Sequence, residues 1–164
     1  MKRKYIAVLL LPAISILLIN CKKRKEEQLN ESLYNESMNS ALVFYKGIDS
    51  TYSPAGGSPH GPFKLKVNST ASAALTDNGR LPSGATFPDG SLIVKELYSG
   101  STLTTYVVMK KDRDSKFKSE GDWLWGEYKA DGSLIYSAGK KGESCISCHT
   151  SGAVRDYTRS FDLH

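Results

Sequence analysis

Sulfur and imidazole are both scarce in this chain, which has three cysteines and three histidines among 164 residues. Cys21 stands alone, and the other two cysteines share the segment Cys145-Ile146-Ser147-Cys148-His149, so nothing remains for a disulfide framework. Past residue 19 there is no apolar run near the roughly 20 residues that a spanning helix needs. Excess charge is missing as well. Residues 1–20 hold three of the 22 cations and none of the 17 acids, so the remainder carries 19 cations against 17 acids, a balance that does not imply nucleic acid. There is no internal repeat and no long low-complexity tract. With 40% hydrophobic and 24% charged residues the composition is that of a folding chain. Its length has room for a single domain, which typically takes about 100–150 residues.

The chain opens on a basic Met1-Lys2-Arg3-Lys4 followed by an apolar stretch from Tyr5 to Ile19, the pattern of an export signal. It ends on Leu18-Ile19-Asn20-Cys21, similar to a lipoprotein cleavage box except that Asn20 stands where Gly or Ala is usual. Cys21 is therefore the candidate lipidation site, and an uncleaved anchor with Cys21 unmodified leads to the same compartment. The expected organisation is a signal peptide over 1–20, a lipidated tether over 21–40 and a folded domain over 41–164. That places the domain on the periplasmic side of a membrane. Lys22 after the lipidated cysteine, rather than the Asp that commonly retains lipoproteins at the inner membrane, favours the outer one. The cations Lys22, Lys23, Arg24 and Lys25 either sit against anionic head groups or simply solvate the start of the tether.

Residues 21–40 are polar, with apolar positions too sparse to make a helical stripe. Ala41, Leu42 and Tyr45 recur at three- and four-residue spacing, which predicts a first helix over 37–48. The run Ser53-Pro54-Ala55-Gly56-Gly57-Ser58-Pro59 then reads as a loop. Strand character follows over 63–68, 91–98, 103–110, 122–129 and 133–136. Turns are signalled by Pro88-Asp89-Gly90 and by Ala130-Asp131-Gly132, the latter joining two strands as a hairpin. A short helix over 69–76, capped by Ser69 or Thr70, and another from Ser144 through the cysteine motif complete the reading. The fold class is α+β, a mostly antiparallel sheet with a few flanking helices that, with a cofactor, cover one face.

Cys145-Ile146-Ser147-Cys148-His149 is the strong chemical signal. Two thiols at this spacing can bond the two vinyl groups of haem c while the next residue supplies an axial imidazole. Cys145 and Cys148 are thus the candidate attachment residues and His149 the candidate iron ligand. Zinc would want a further ligand, with only His60 and His164 left to give one, and a thiol–disulfide pair lacks the β-α-β surroundings such pairs use. On the far side of the iron, His60 in Pro59-His60-Gly61 and Met109 at the end of a strand are the candidate ligands. An exposed loop histidine and a core methionine are the plainer readings of each, which favours an open coordination position.

Lys95 is the other residue singled out. Alternation in Ser91-Leu92-Ile93-Val94-Lys95-Glu96-Leu97 places it on the face of Ile93 and Leu97, where a lysine is unfavourable unless paired, used, or at an edge. Strand periodicity alone favours an edge lysine whose ammonium reaches water.

Phe87-Pro88-Asp89-Gly90 leading to Val94-Lys95-Glu96, followed some fifty residues on by the haem motif, resembles the cytochrome P-460 family. Gly121-Asp122-Trp123-Leu124-Trp125-Gly126-Glu127-Tyr128 is similar to the family's tryptophan strand, and Pro59-His60-Gly61-Pro62 and Arg155-Asp156-Tyr157-Thr158 also fit. The resemblance implies a mostly antiparallel β fold, often a homodimer, with one five-coordinate covalent haem c. It further implies a pocket for small nitrogen compounds such as hydroxylamine or nitric oxide and a redox partner protein. It gives Lys95 a catalytic and cofactor-binding role, at the position of a lysine cross-linked to the macrocycle. The family's hydroxylamine oxidisers also use a distal carboxylate, but near its place this chain reads Tyr106-Val107-Val108-Met109. Glu127 and Asp156 remain as unplaced acids, and Glu96 belongs to the opposite face from Lys95. The competing readings are an electron-transfer cytochrome with a six-coordinate haem and a gas-binding sensor or scavenger.

Overall fold

The computed structural model describes residues 6–54, 58–151 and 155–164, with side chains in the first helix from residue 21 onward. The basic start of the expected signal and the Ala55-Gly56-Gly57 centre of the expected loop lie outside the described residues. Helix α1 (Ile6–Ser37) precedes a short strand β1 (Val43–Phe44), then β2 (Phe63–Val67) and helix α2 (Ser69–Ala74). Strands β3 (Leu92–Ser99), β4 (Thr102–Lys111), β5 (Trp123–Lys129) and β6 (Leu134–Tyr136) follow, and the short helices α3 (Ile146–His149) and α4 (Ser160–Leu163) end the chain. The six strands form one sheet in chain order, every neighbour antiparallel. The fold is α+β, as the residue pattern predicts.

Both faces of this sheet are covered, which is why β3 and β5 read as nearly continuous apolar runs instead of clean alternations. On one face Leu92, Val94, Tyr106, Val108, Leu124 and Tyr128 pack beneath Leu33 of α1. On the other, Phe63, Leu65, Ile93, Met109, Trp123 and Trp125 pack against Tyr45, Phe87 and Phe161. Helix and haem motif thus sit on opposite faces, whereas the sequence led us to expect both on one.

Residues 21–37, expected as tether, are helical, and their second half docks on the sheet. The docking stripe runs Glu26, Asn30, Leu33, Ser37, spaced three or four apart but mostly polar. Asn30 is its centre: its Oδ1 accepts from the Ala138 N–H at 2.9 Å and from the Tyr128 hydroxyl at 3.3 Å, and its amide donates to Ser137 at 3.0 Å. The helix expected over 37–48 is not formed. Its three- and four-residue spacing belongs instead to a chain crossing the sheet edge, where Val43 and Phe44 pair with Val67 and Lys66. Leu42 packs on the helix-side core and Tyr45 on the other, with the Tyr45 hydroxyl donating to Gly79 O at 2.8 Å.

The expected strands all form, to within a residue at either end. Both expected turns form too, each with a glycine at positive φ, Gly90 at 79° and Gly132 at 88°. The cap of α2 is Asn68 rather than Ser69 or Thr70. Its Oδ1 accepts from the Ala71 N–H at 2.9 Å and the Leu92 N–H at 3.1 Å while its amide donates to Gly90 O at 2.8 Å, tying the helix start to the turn before β3.

Removing the Asn30 side chain strands a buried N–H and a buried hydroxyl. Asn30→Ala is expected to lower the unfolding free energy by about 1–3 kcal/mol, against less than about 0.5 kcal/mol for Asn35→Ala on the exposed side of the helix. Urea unfolding of both variants checks this.

Candidate haem site

A cavity of about 340 Å³ opens on the sheet face away from α1. Strand residues Lys95, Val107, Glu127 and Trp125 form its floor, and the segment from Cys145 to His149 forms one wall. His60, Arg159 and His164 close the remaining sides. One cavity therefore holds every haem residue expected from the sequence, and all three histidines of the chain border it.

The cysteine motif is placed by a single helical turn. Hydrogen bonds from His149 N to Cys145 O at 3.1 Å and from Thr150 N to Ile146 O at 2.9 Å wind the chain so that residues 145, 148 and 149, spaced i, i+3 and i+4, share one side. Gly142 lets this turn approach the sheet: it has φ 72°, and a Cβ there would stand 2.5 Å from the Trp125 indole. Trp125 is itself fixed by an indole N–H donated to Ser119 Oγ at 2.7 Å, and it meets the His149 ring edge-on at 4.8 Å.

His149 carries its ring 2.7 Å from the Tyr157 carbonyl through Nδ1. A carbonyl only accepts, so Nδ1 holds the proton and Nε2 keeps its lone pair for a metal. Burial, with Lys95 and Arg159 adding to it and the Tyr157 carbonyl opposing it, lowers the imidazole pKa to about 4, so the ring is neutral at pH 7. Burial and Glu127 push the Cys145 thiol up to about 11, the reverse of the activated thiolate that a redox pair needs. Among the described residues no group of three or more His, Cys, Asp or Glu side chains is arranged for a bare metal ion. Two thiols and a neutral imidazole on one side of a turn, against a cavity walled by Phe63, Ile93 and Met109, are a donor set that fits covalent haem.

Lys95 does not behave as the edge lysine that periodicity favours. It lies on β3 with strands on both sides, opposite Leu65 of β2 and Val107 of β4. Its ammonium is half-buried over the Phe63 ring at 4.5 Å, and burial together with Arg159 lowers its pKa to about 8. Glu96 points the other way, as alternation requires, into a 2.6 Å ion pair with Lys66.

The two unplaced acids separate cleanly. Glu127 pairs with Val107, which pairs with Lys95, so cation and carboxylate stand two strands apart on one row, about 10 Å in strand spacing. Burial raises the Glu127 pKa, and a β-bulge sits at Glu127/Tyr128, a device that re-aims side chains beside functional sites. Asp156 is outside the cavity, in a buried pair with Lys111. His60 is half-buried in the cavity wall rather than exposed, with its pKa lowered to about 4 by burial first and then by Lys95 and His149. Met109 is both core and cavity lining. Arg159 escaped the sequence reading and His164 entered it only as a spare zinc ligand, because the docking of α4 is what brings both to the cavity: Phe161 meets Tyr45 at 5.1 Å and Phe87 at 5.8 Å.

No curated protein matches this chain. The family model described as Cytochrome P460 matches residues 45–160, most of the chain and all of the cavity apart from its last few lining residues. The fit of the donor set to haem and the reach of that match lead to one conclusion: the chain belongs to the cytochrome P460 family, whose proteins bind a covalently attached haem c.

Proposed function

We propose that this protein binds and oxidises small nitrogen compounds, hydroxylamine or nitric oxide, at an open haem position. Cys145 and Cys148 would hold the haem by thioether bonds, His149 would ligate its iron, and Lys95 lines the same cavity. The observation that carries this reading is the shared row of Lys95 and Glu127 in the cavity of the haem motif, which puts an amine and a proton acceptor in one enclosed space. In this reading the protein is exported, anchored by a lipid on Cys21 to the periplasmic side of a membrane, with the outer membrane favoured. It passes electrons to a redox partner protein and works as a homodimer. Cys21 is exposed, as lipidation requires, and among the described residues no helix is long and apolar enough to cross a membrane.

Haem c, when bound, supplies an iron that takes the substrate nitrogen and accepts its electrons. The protein's own residues handle protons and exclude water. Glu127 is the acid that Tyr106-Val107-Val108-Met109 lacks, supplied from the neighbouring strand; burial raises its proton affinity and makes it the stronger base for protons released as N–H and O–H bonds are lost. His60, neutral at pH 7, is a second acceptor. The lowered pKa of Lys95 leaves about a tenth of it as free amine at pH 7, far more than an ordinary lysine, and this is the form able to act as a nucleophile. Forming a cross-link to the macrocycle with loss of hydrogen is a two-electron oxidation and needs an oxidant such as peroxide.

The electron-transfer reading draws support from His60, a neutral imidazole on the same cavity, and predicts a six-coordinate low-spin iron.

Three measurements check these readings. In protein made with c-type maturation, a strongly red-shifted ferrous Soret band and a Lys95–haem peptide are expected, both lost in Lys95→Ala; an ordinary c-type spectrum with unmodified Lys95 removes the cross-link, and its spin state then separates gas binding from electron transfer. Glu127→Gln is expected to lower hydroxylamine turnover by about 10²-fold or more with the optical spectrum unchanged, and wild-type turnover would remove Glu127 from proton transfer. In the haem-free full chain, the folded state releases the Lys95 proton near pH 8 and the unfolded state near 10.5, so between these values the unfolded chain binds more protons and stability rises with pH. Lys95→Met should lack that rise, seen as a flatter difference in urea midpoint from pH 8 to 10.5.

A further inference from the structure

Lys111 and Asp156 form the most buried ion pair among the described residues, with side chains 2% and 3% exposed. Lys111 Nζ donates to both carboxylate oxygens, at 2.8 and 2.7 Å, and lies over the Trp123 ring at 4.8 Å. The same carboxylate accepts the Phe87 N–H at 2.7 Å, and the Asp156 carbonyl accepts the Trp123 indole N–H at 3.0 Å. Three donors, from two strands and a loop, thus make four hydrogen bonds to one residue that the cavity does not contain.

The backbone says what this convergence holds in place. Asp156 and Tyr157 both have positive φ, 47° and 65°, a conformation that residues with a Cβ rarely adopt and that persists only where the surroundings impose it. They are the centre of a turn closed by Thr158 N donating to Arg155 O at 2.9 Å. Its product is the carbonyl of Tyr157, aimed at His149 Nδ1 at 2.7 Å. An Nδ1–H held by a carbonyl fixes which nitrogen can bind a metal, orients the ring and strengthens it as a donor.

We infer that Asp156 and Lys111 are positioning residues for His149: their buried ion pair holds the left-handed Asp156–Tyr157 turn, whose carbonyl sets the tautomer, orientation and donor strength of the axial imidazole. This rests on the reading of His149 as the iron ligand. It touches neither substrate nor reacting atoms, so its signature is the iron–histidine bond rather than turnover.

The test uses the haem-loaded full-length protein. Asp156→Asn keeps an acceptor for the Phe87 N–H but removes the charge that holds Lys111. Expected are an iron–histidine stretching band moved to lower wavenumber in the ferrous protein and a raised midpoint potential, since a weaker donor favours ferrous iron less poorly than a strong one. Glu96→Gln breaks the Lys66 pair on the opposite face and should move neither, which separates positioning from general loss of stability. If Asp156→Asn does not fold, Asp156→Asn with Lys111→Met makes a neutral pair and is read in the same way. An unchanged band and potential in a folded Asp156 variant overturn the inference. Should the wild-type protein give no iron–histidine band, the ligand assignment fails separately. Ring nitrogen-15 shifts of His149 in the unloaded full chain then decide: a mixture of tautomers in the variant supports positioning, and a retained Nδ1–H form overturns it.

Discussion

Register between β3, β4 and β5 is the constraint on which the cavity depends. Side chains alternate with a period of two, so a slip of one residue would carry Lys95 or Glu127 through the sheet and bring Glu96 or Tyr128 to the cavity instead. Burial of both faces penalises that slip twice. It would expose apolar groups on one side to the cavity while forcing Lys95 or Glu127 beneath α1, where Val94, Val108 and Tyr128 now pack. Antiparallel ladders hold the strands together, but it is this two-sided packing that decides which residues meet the haem motif. Each face therefore enforces the other's composition.

The cavity is also electrostatically one-sided near its centre. Lys95 and Arg159 are cations at its walls, and burial leaves His60 and His149 neutral, so Glu127 is the carboxylate among the residues discussed that faces inward. A lone carboxylate in such surroundings is neither neutralised by a partner nor fully hydrated, the condition under which its proton affinity is raised. The lysine and the acid are held apart by Val107, which prevents the short ion pair that would quench both.

Much of this was legible in the sequence. The five long strand signals, the two glycine turns and the spacing of Cys145, Cys148 and His149 are local patterns, and local patterns survive into the fold. Lys95 was visible because a charge broke an apolar face. What could not be read were features that depend on distant partners. The docking stripe of α1 is built on Glu26, Asn30 and Ser37, and polar residues give no hydrophobic period even when buried. Glu127 sits in a strand covered on both sides, where alternation carries no information about which face is the cavity. Asp156 reads as an ordinary surface acid until Lys111, 45 positions away, is found beside it. The helix expected over 37–48 failed for the converse reason: a spacing of three and four arose from an irregular crossing between two cores.

Placing α1 and the haem cavity on opposite sides of a single sheet separates two selective burdens. The residues that hold the helix, Asn30, Leu33 and Tyr128, share no packing cluster with those that line the cavity, Lys95, Val107 and Glu127. Substitutions on the cavity side can change its lining while the helix remains docked, and drift on the helix side leaves that lining alone. A scaffold divided in this way can exchange a few inward side chains without evolving a new fold.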